Sequence, residues 1–411
     1  MNLKRYIEIL LYFSGIQTAV ASEPVDSALH PRRLFLAIHT QQGSMLNTHE
    51  STIIRNYYVG LDFRIGWQTD DFARDIFDGL FRYPQYGIGY YMGNMNRIIL
   101  GDDEQSGFGK PAALYAFFAS PVVRRKPFSV HYDISLGISY NFNAYDPQSR
   151  PHNILVGSKN NAYINLRFST EFALRGYSTL GLSFSFQHFS NGSYQKPNKG
   201  INLVSGILSY QLGTYKNHEK SYRRFPIDPY RPVWEWQIFW ANGVRMLDTG
   251  FDFNQPHKSK RWYCTSVSTA VLLQTSHRRK FGLGFDYFYF DWGRYVIEYR
   301  ARTEGRAATS RWYNSMALGA YLAHEAGYKK VWFITHLGFY ITDHTGDLKQ
   351  PWIYERVGIK YRITSRFTIG VSIKAHLTKA DYTEWTLGYT ILKNASRRKL
   401  RFRPCRAVDA Y

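Results

Sequence analysis

The sequence predicts an all-β fold, an antiparallel transmembrane β-barrel of about 12–16 strands. Three observations carry that expectation. Apolar and polar residues alternate along runs of about ten residues, the length a tilted strand needs to cross a bilayer. The 411 residues include 33 Tyr, 28 Phe and 10 Trp, yet the mean hydropathy is only -0.38. Aromatic richness with modest hydropathy fits a barrel, and beyond the N-terminus no run of about 18 apolar residues offers a spanning helix. Short connections such as 174–178 and 363–366 also interleave with long ones such as 292–312, as periplasmic turns and external loops do.

Taken in order, residues 1–21 read as a secretory signal. Lys4 and Arg5 form the basic region, Ile7 to Ile16 is mostly apolar despite Glu8, and Ala19-Val20-Ala21 makes a small-x-small cleavage site. A structural N-terminal helix is the alternative. Export together with a barrel pattern implies the outer membrane of a Gram-negative bacterium. Sixteen candidate strands follow, starting near 33, 55, 85, 111, 127, 162, 178, 202, 232, 261, 280, 312, 330, 352, 366 and 381.

The alternation is cleanest in three of them. Phe128, Val130, Tyr132, Ile134, Leu136, Ile138 and Tyr140 oppose Ser129, His131, Asp133, Ser135, Gly137 and Ser139. Phe367, Ile369, Val371, Ile373 and Ala375 oppose Thr368, Gly370, Ser372, Lys374 and His376. Trp385, Leu387, Tyr389 and Ile391 oppose Glu384, Thr386, Gly388 and Thr390. A soluble sandwich alternates too, but over strands of about five or six residues. Trp234, Trp236 and Trp240 suit an interfacial girdle. One ring spanning residues 30–395 is expected, with 214–232 as a long turn and 396–411 as a basic tail.

The net charge of +21, from 52 Lys+Arg against 31 Asp+Glu, favours a polyanionic partner. For an exported barrel that partner is phosphorylated lipopolysaccharide. The charges are spread along the chain, so no nucleic-acid patch forms. Cys264 and Cys405 are incidental, and no C-x-x-C framework or other metal or cofactor signature is present.

The chemistry sits in HFSNGSYQKPNKGIN, residues 188–202. Leu180, Leu182, Phe184 and Phe186 share one strand face, and by parity His188 and Ser190 join it. An imidazole and a hydroxyl on a lipid-facing wall are costly unless they lie near the interface or have a task. Counting the first strand as rising, this seventh strand also rises, towards the outer leaflet. Side chains at i and i+2 are neighbours, so His188 can activate Ser190 as a nucleophile. An oxyanion then needs fixed donors, for which Asn191, Asn198 and the backbone N–H groups around Gly192 and Gly200 are candidates. Asn198 is otherwise a turn residue following Pro197, and Asn202 a strand-start residue.

The run H-x-S-N, then P-N-x-G-I and a strand, resembles the PagL-type lipid A deacylases, outer-membrane acyloxyacyl hydrolases. The resemblance covers roughly 178–212. It implies a barrel with its catalytic residues outside and lipid A in the outer leaflet as substrate. Carried over, His188 is the base, Ser190 the nucleophile and Asn198 an oxyanion donor. Asn202 stands where that family has a Glu, which keeps the geometry and removes the charge. An Asn can orient a histidine. No Asp or Glu lies between Phe172 and His218 to replace it. The chain is also far longer than an eight-stranded member needs.

Elsewhere, Arg300, Arg302 and Arg306, with Arg294 and Arg311, suit lipid phosphates, or form a mixed-charge loop with Glu298 and Glu304. His336, Asp343 and His344 have no parity that would make a metal site. Lys374, His376, Arg356 and Lys360 face the lumen, to select anions in a pore or to pair with Glu384 and Asp133. The leading function is therefore a lipid A esterase. A channel carrying an inactive relic of the site would show a wide polar lumen. A structural barrel would bury Ser190.

Overall fold

The computed structural model describes residues 33–46, 53–71, 75–101, 107–217, 222–247, 260–305, 307, 310–345, 351–377 and 379–393. The expected signal at 1–21 and the expected basic tail at 396–411 lie outside them. Eighteen strands are present among the described residues, and sixteen of them close two rings. The first ring uses β1 (Leu34–Met45), β3 (Tyr58–Gln68), β4 (Gln85–Asn94), β6 (Gly109–Arg125), β7 (Phe128–Phe142), β8 (Asn161–Ala173), β9 (Ser178–Ser190) and β10 (Ile201–Gly213). Two short strands, β2 (Ile53–Asn56) and β5 (Ile98–Leu100), pair outside it. The second ring uses β11 (Val233–Met246), β12 (Arg261–Gln274), β13 (Arg279–Phe290), β14 (Met316–Tyr328), β15 (Val331–Asp343), β16 (Ile353–Arg362), β17 (Phe367–His376) and β18 (Lys379–Lys393).

Each expected strand is found within a few residues of its predicted start. The single ring is corrected: β1 seals against β10, with Phe35 opposite Gly213, and β11 seals against β18, with Gly243 opposite Glu384. The segment 214–232, expected as a long turn inside one barrel, instead joins two. Alternation is a local property, whereas ring closure depends on which distant strands pair.

The sign of the alternation identifies the solvent. On β13, Phe281, Leu283, Phe285 and Tyr287 point outward and are exposed, while Lys280 and Asp286 are buried inside. A water-soluble barrel would reverse this, so the outer wall is built for lipid.

Both lumens are filled. In the first ring Arg64 pairs with Asp133 and donates from Nε to the Tyr115 hydroxyl at 2.9 Å, and Arg167 meets Asp62 at 2.9 Å. Above them Tyr91 stacks on Tyr163, and Phe189 packs tilted against Tyr163 and edge-on against Phe142 to form an aromatic plug. In the second ring Arg356 binds Glu384 at 2.6 Å and Asp286 at 3.2 Å, Lys280 binds Glu235 at 2.6 Å, and Lys374 binds Asp381 at 2.7 Å. Arg356 and Glu384 thus pair as expected, while Asp133 serves Arg64 in the other barrel. A cavity of about 30 Å³ remains beside Tyr321, His336 and Arg356, room for a few waters and no more. Arg356→Leu would leave Asp286 and Glu384 buried without their cation. It is expected to destabilise the barrel by about 3–5 kcal/mol, read from urea unfolding in detergent micelles.

The barrels meet at both ends. At one end, a one-turn helix (Ile76–Leu80) between β3 and β4 receives Tyr328 of the β14–β15 turn. That ring packs among Phe118, Phe81 and Tyr86, its hydroxyl donates to Asp78, and Lys329 reaches Asp78 at 3.0 Å. Burial holds the Asp78 carboxyl above the usual carboxylate range, against the lowering effect of the Tyr328 hydroxyl and of Lys329. At the other end the contact is made by the β9–β10 connection, which carries the candidate site.

Candidate active site

β9 leaves Leu180, Leu182 and Phe184 exposed on the outer wall and buries Ser185 and Gln187 in the lumen, so the parity predicted for His188 holds. In the β9–β10 register His188 lies directly opposite Asn202. Its Nδ1 and the Asn202 Oδ1 are 2.7 Å apart. With the carbonyl oxygen facing Nδ1, the ring proton resides on Nδ1 and Nε2 keeps its lone pair, the tautomer a general base requires. Gly200, at φ +80°, makes room for the imidazole, because a Cβ there would lie 2.9 Å from His188 Cε1.

Ser190 ends β9 on the same parity, and its Oγ accepts two hydrogen bonds. One comes from Asn198 Nδ2 at 2.9 Å and the other from the Gly192 N–H at 3.3 Å. Asn198 is itself aimed by the Asn191 N–H, which donates to its Oδ1 at 3.2 Å. Asn191, expected as a direct donor, does not aim its amide at Ser190. Its side-chain amide turns away to the Ser158 hydroxyl and the Gln195 carbonyl, both at 2.9 Å. Among the described residues no hydrogen bond joins His188 to Ser190, a link that in resting enzymes often tightens only with substrate. Ser190 is 6% exposed.

A tight turn delivers the Gly192 N–H. Gly192 and Ser193 have φ of +60° and +63°, and the Tyr194 N–H closes onto the Asn191 carbonyl at 3.2 Å. Two left-handed central residues are the geometry of a type I′ turn, for which Asn-Gly is the strongest short signal. Gly192 adopts it freely, whereas Ser193 does so at a cost of about 1–2 kcal/mol. The Gly192-Ser193 pair, which fills the two central positions, was the available signal for this turn. Nothing local marked Ser158.

Of the expected phosphate ligands, Arg300 and Arg302 lie on a helix (Gly293–Thr303) in the β13–β14 connection, and Arg302 is exposed. Arg306 lies outside the described residues. Among the described residues, no contact brings Arg302 to Ser190.

Closed rings with apolar outer walls and charged interiors define an outer-membrane β-barrel protein. Family comparison resolves the class further. Residues 61–211 match the lipid A 3-O-deacylase (PagL) family, and residues 234–394 match the acyloxyacyl hydrolase C-terminal domain. The two matches fall one on each barrel and together cover more than half of the chain. The chain belongs to the PagL-type lipid A deacylase family. Among solved structures it is similar to Neisserial surface protein A, at 8% identity and TM-score 0.30 over 44% of this chain and 96% of that one. It is similar also to the outer membrane enzyme PagL, at 16% identity and TM-score 0.26 over 43% and 98%. A third likeness is to an outer membrane channel from Pseudomonas putida F1, at 8% identity and TM-score 0.19 over 90% and 100%. No curated protein matches the chain.

Proposed function

We propose that the protein removes an ester-linked acyl chain from lipid A in the outer leaflet by a Ser-His mechanism on the outer wall of its first barrel. Ser190 Oγ attacks the ester carbonyl while His188 Nε2 takes its proton. Asn202 holds the imidazole through Nδ1. Asn198 Nδ2 and the Gly192 N–H, which cap Ser190 Oγ at rest, turn to the carbonyl oxygen as negative charge develops there. His188 then protonates the departing sugar oxygen, and water, activated by the same base, releases the fatty acid. Arg300 and Arg302, in the β13–β14 connection at the end of the second barrel where Met246 and Arg261 meet Ser193 and Tyr194, take the lipid phosphates on this reading.

The observation that carries the proposal is the 2.7 Å contact between His188 and Asn202, on the strand pair that also presents Ser190 to two N–H donors. The filled lumens count against a channel. A purely structural barrel has one observation on its side, the 6% exposure of Ser190. Refolded protein mixed with lipid A and followed by mass spectrometry decides between them. Loss of one acyl chain supports the enzyme, and an unchanged lipid A supports the structural barrel.

Asn202→Glu supplies a carboxylate next to the imidazolium that forms during attack. It is expected to raise kcat by about ten-fold, since a carboxylate stabilises that cation and an amide does not. A fall in kcat at unchanged KM would show that the strand pair is tuned to the amide.

A further inference from the structure

The two donors at Ser190 Oγ are anchored by different parts of the chain. Asn198 belongs to the framework of the first barrel: the Gly200 N–H donates to the Leu155 carbonyl at 3.0 Å, and a Cβ on Gly157 would lie 2.4 Å from the Pro197 oxygen. Gly192 has a different support. The Met246 N–H donates to the Ser193 carbonyl at 2.8 Å, and the Ser193 hydroxyl donates to the Ala380 carbonyl at 2.7 Å. A Cβ on Gly192 would fall 2.2 Å from Thr383 Oγ1. Arg261 lies over the Tyr194 ring, 4.4 Å from its centroid, and donates to the Tyr194 carbonyl at 3.3 Å. Met246 ends β11, Arg261 begins β12, and Ala380 and Thr383 lie at the start of β18. These three strands are neighbours in the second ring, so one arc of its rim grips the turn.

We propose that the second barrel is a positioning element for the hydrolase site of the first, holding the Asn191–Tyr194 turn so that the Gly192 N–H stays aimed at the oxyanion. Ser193 is the positioning residue at the centre. A serine left to itself leaves the left-handed region, and such a conformation persists where surrounding contacts over-determine it. Here the contacts on its carbonyl and on its hydroxyl both come from the other ring. A donor assists catalysis to the extent that it is fixed before charge develops, so loosening this turn acts on kcat rather than on lipid binding. The catalytic consequence rests on the deacylase reading; the grip on the turn does not.

The test compares the full-length native protein, Ser193→Ala and Arg261→Ala in detergent micelles. Ser193→Ala removes the hydroxyl tie, and Arg261→Ala, at an exposed position, cannot be dismissed as a failure to fold. Hydrogen exchange across residues 191–196 is expected to quicken by about ten-fold or more in both variants, with β8–β10 unchanged. On lipid A, kcat is expected to fall on the order of ten- to a hundred-fold with KM nearly constant. Exchange that stays as slow as in the native protein overturns the proposal, and so does faster exchange at native kcat. If the native protein leaves lipid A intact, the deacylase reading falls, and the exchange comparison alone decides whether the second barrel holds the turn.

Discussion

Ser190→Ala is expected to lower kcat/KM for lipid A by about 10⁴-fold or more, measured as the rate of fatty acid release by refolded protein. The alanine removes the atom that would bond to the acyl carbon, while the strand pairing of β9 with β8 and β10 does not involve the hydroxyl. His188→Ala is expected to fall as far. The double variant should be no worse than either single one, because a nucleophile and its base act as one unit. Additive losses would mean that the two residues serve separate steps. A Ser190→Ala protein with native activity would falsify the assignment of the nucleophile.

Asn198 carries the second large effect. Its Nδ2 donates to Ser190 Oγ at 2.9 Å, while its Oδ1 accepts the Asn191 N–H at 3.2 Å. Asn198→Ala loses both bonds and is expected to reduce kcat by about 10²–10³-fold, the usual effect of removing one oxyanion donor. Asn198→Asp separates the two roles. The carboxylate keeps an acceptor for Asn191 but has no N–H to offer, so kcat should drop as far as in the alanine variant. If the aspartate retained activity, Asn198 would be a turn residue only, and Gly192 would remain as the donor identified at Ser190.

Much of this was legible in the chain because β-structure writes its geometry with period two. The alternation in 128–140 and 366–376 marked strands, and the same parity put His188 and Asn202 on one face before any pairing was known. The cross-strand hydrogen bond between them is the direct result. Two things were not legible. One ring or two depends on whether β1 meets β10 or a strand much further on, and neither strand's own residues encode that choice. Likewise, Asn191 looks like a donor in the string of letters, but its amide is captured by Ser158, which lies 33 residues away along the chain. The tie between Ser193 and Ala380, 187 residues apart, leaves no local trace at all.

The two seams, β1 to β10 and β11 to β18, also shape how the chain can enter its membrane. An open sheet edge within hydrocarbon leaves a row of N–H and C=O groups unsatisfied. A sixteen-strand ring would carry such an edge until its last strand arrived. Here the first ring can seal once Gly213 is in place, while the strands from Val233 onward are still to be laid down. Insertion can therefore proceed in two self-contained instalments. The turn beside Ser190 acquires its outside grip only with the second, so the first ring can close before that turn is held.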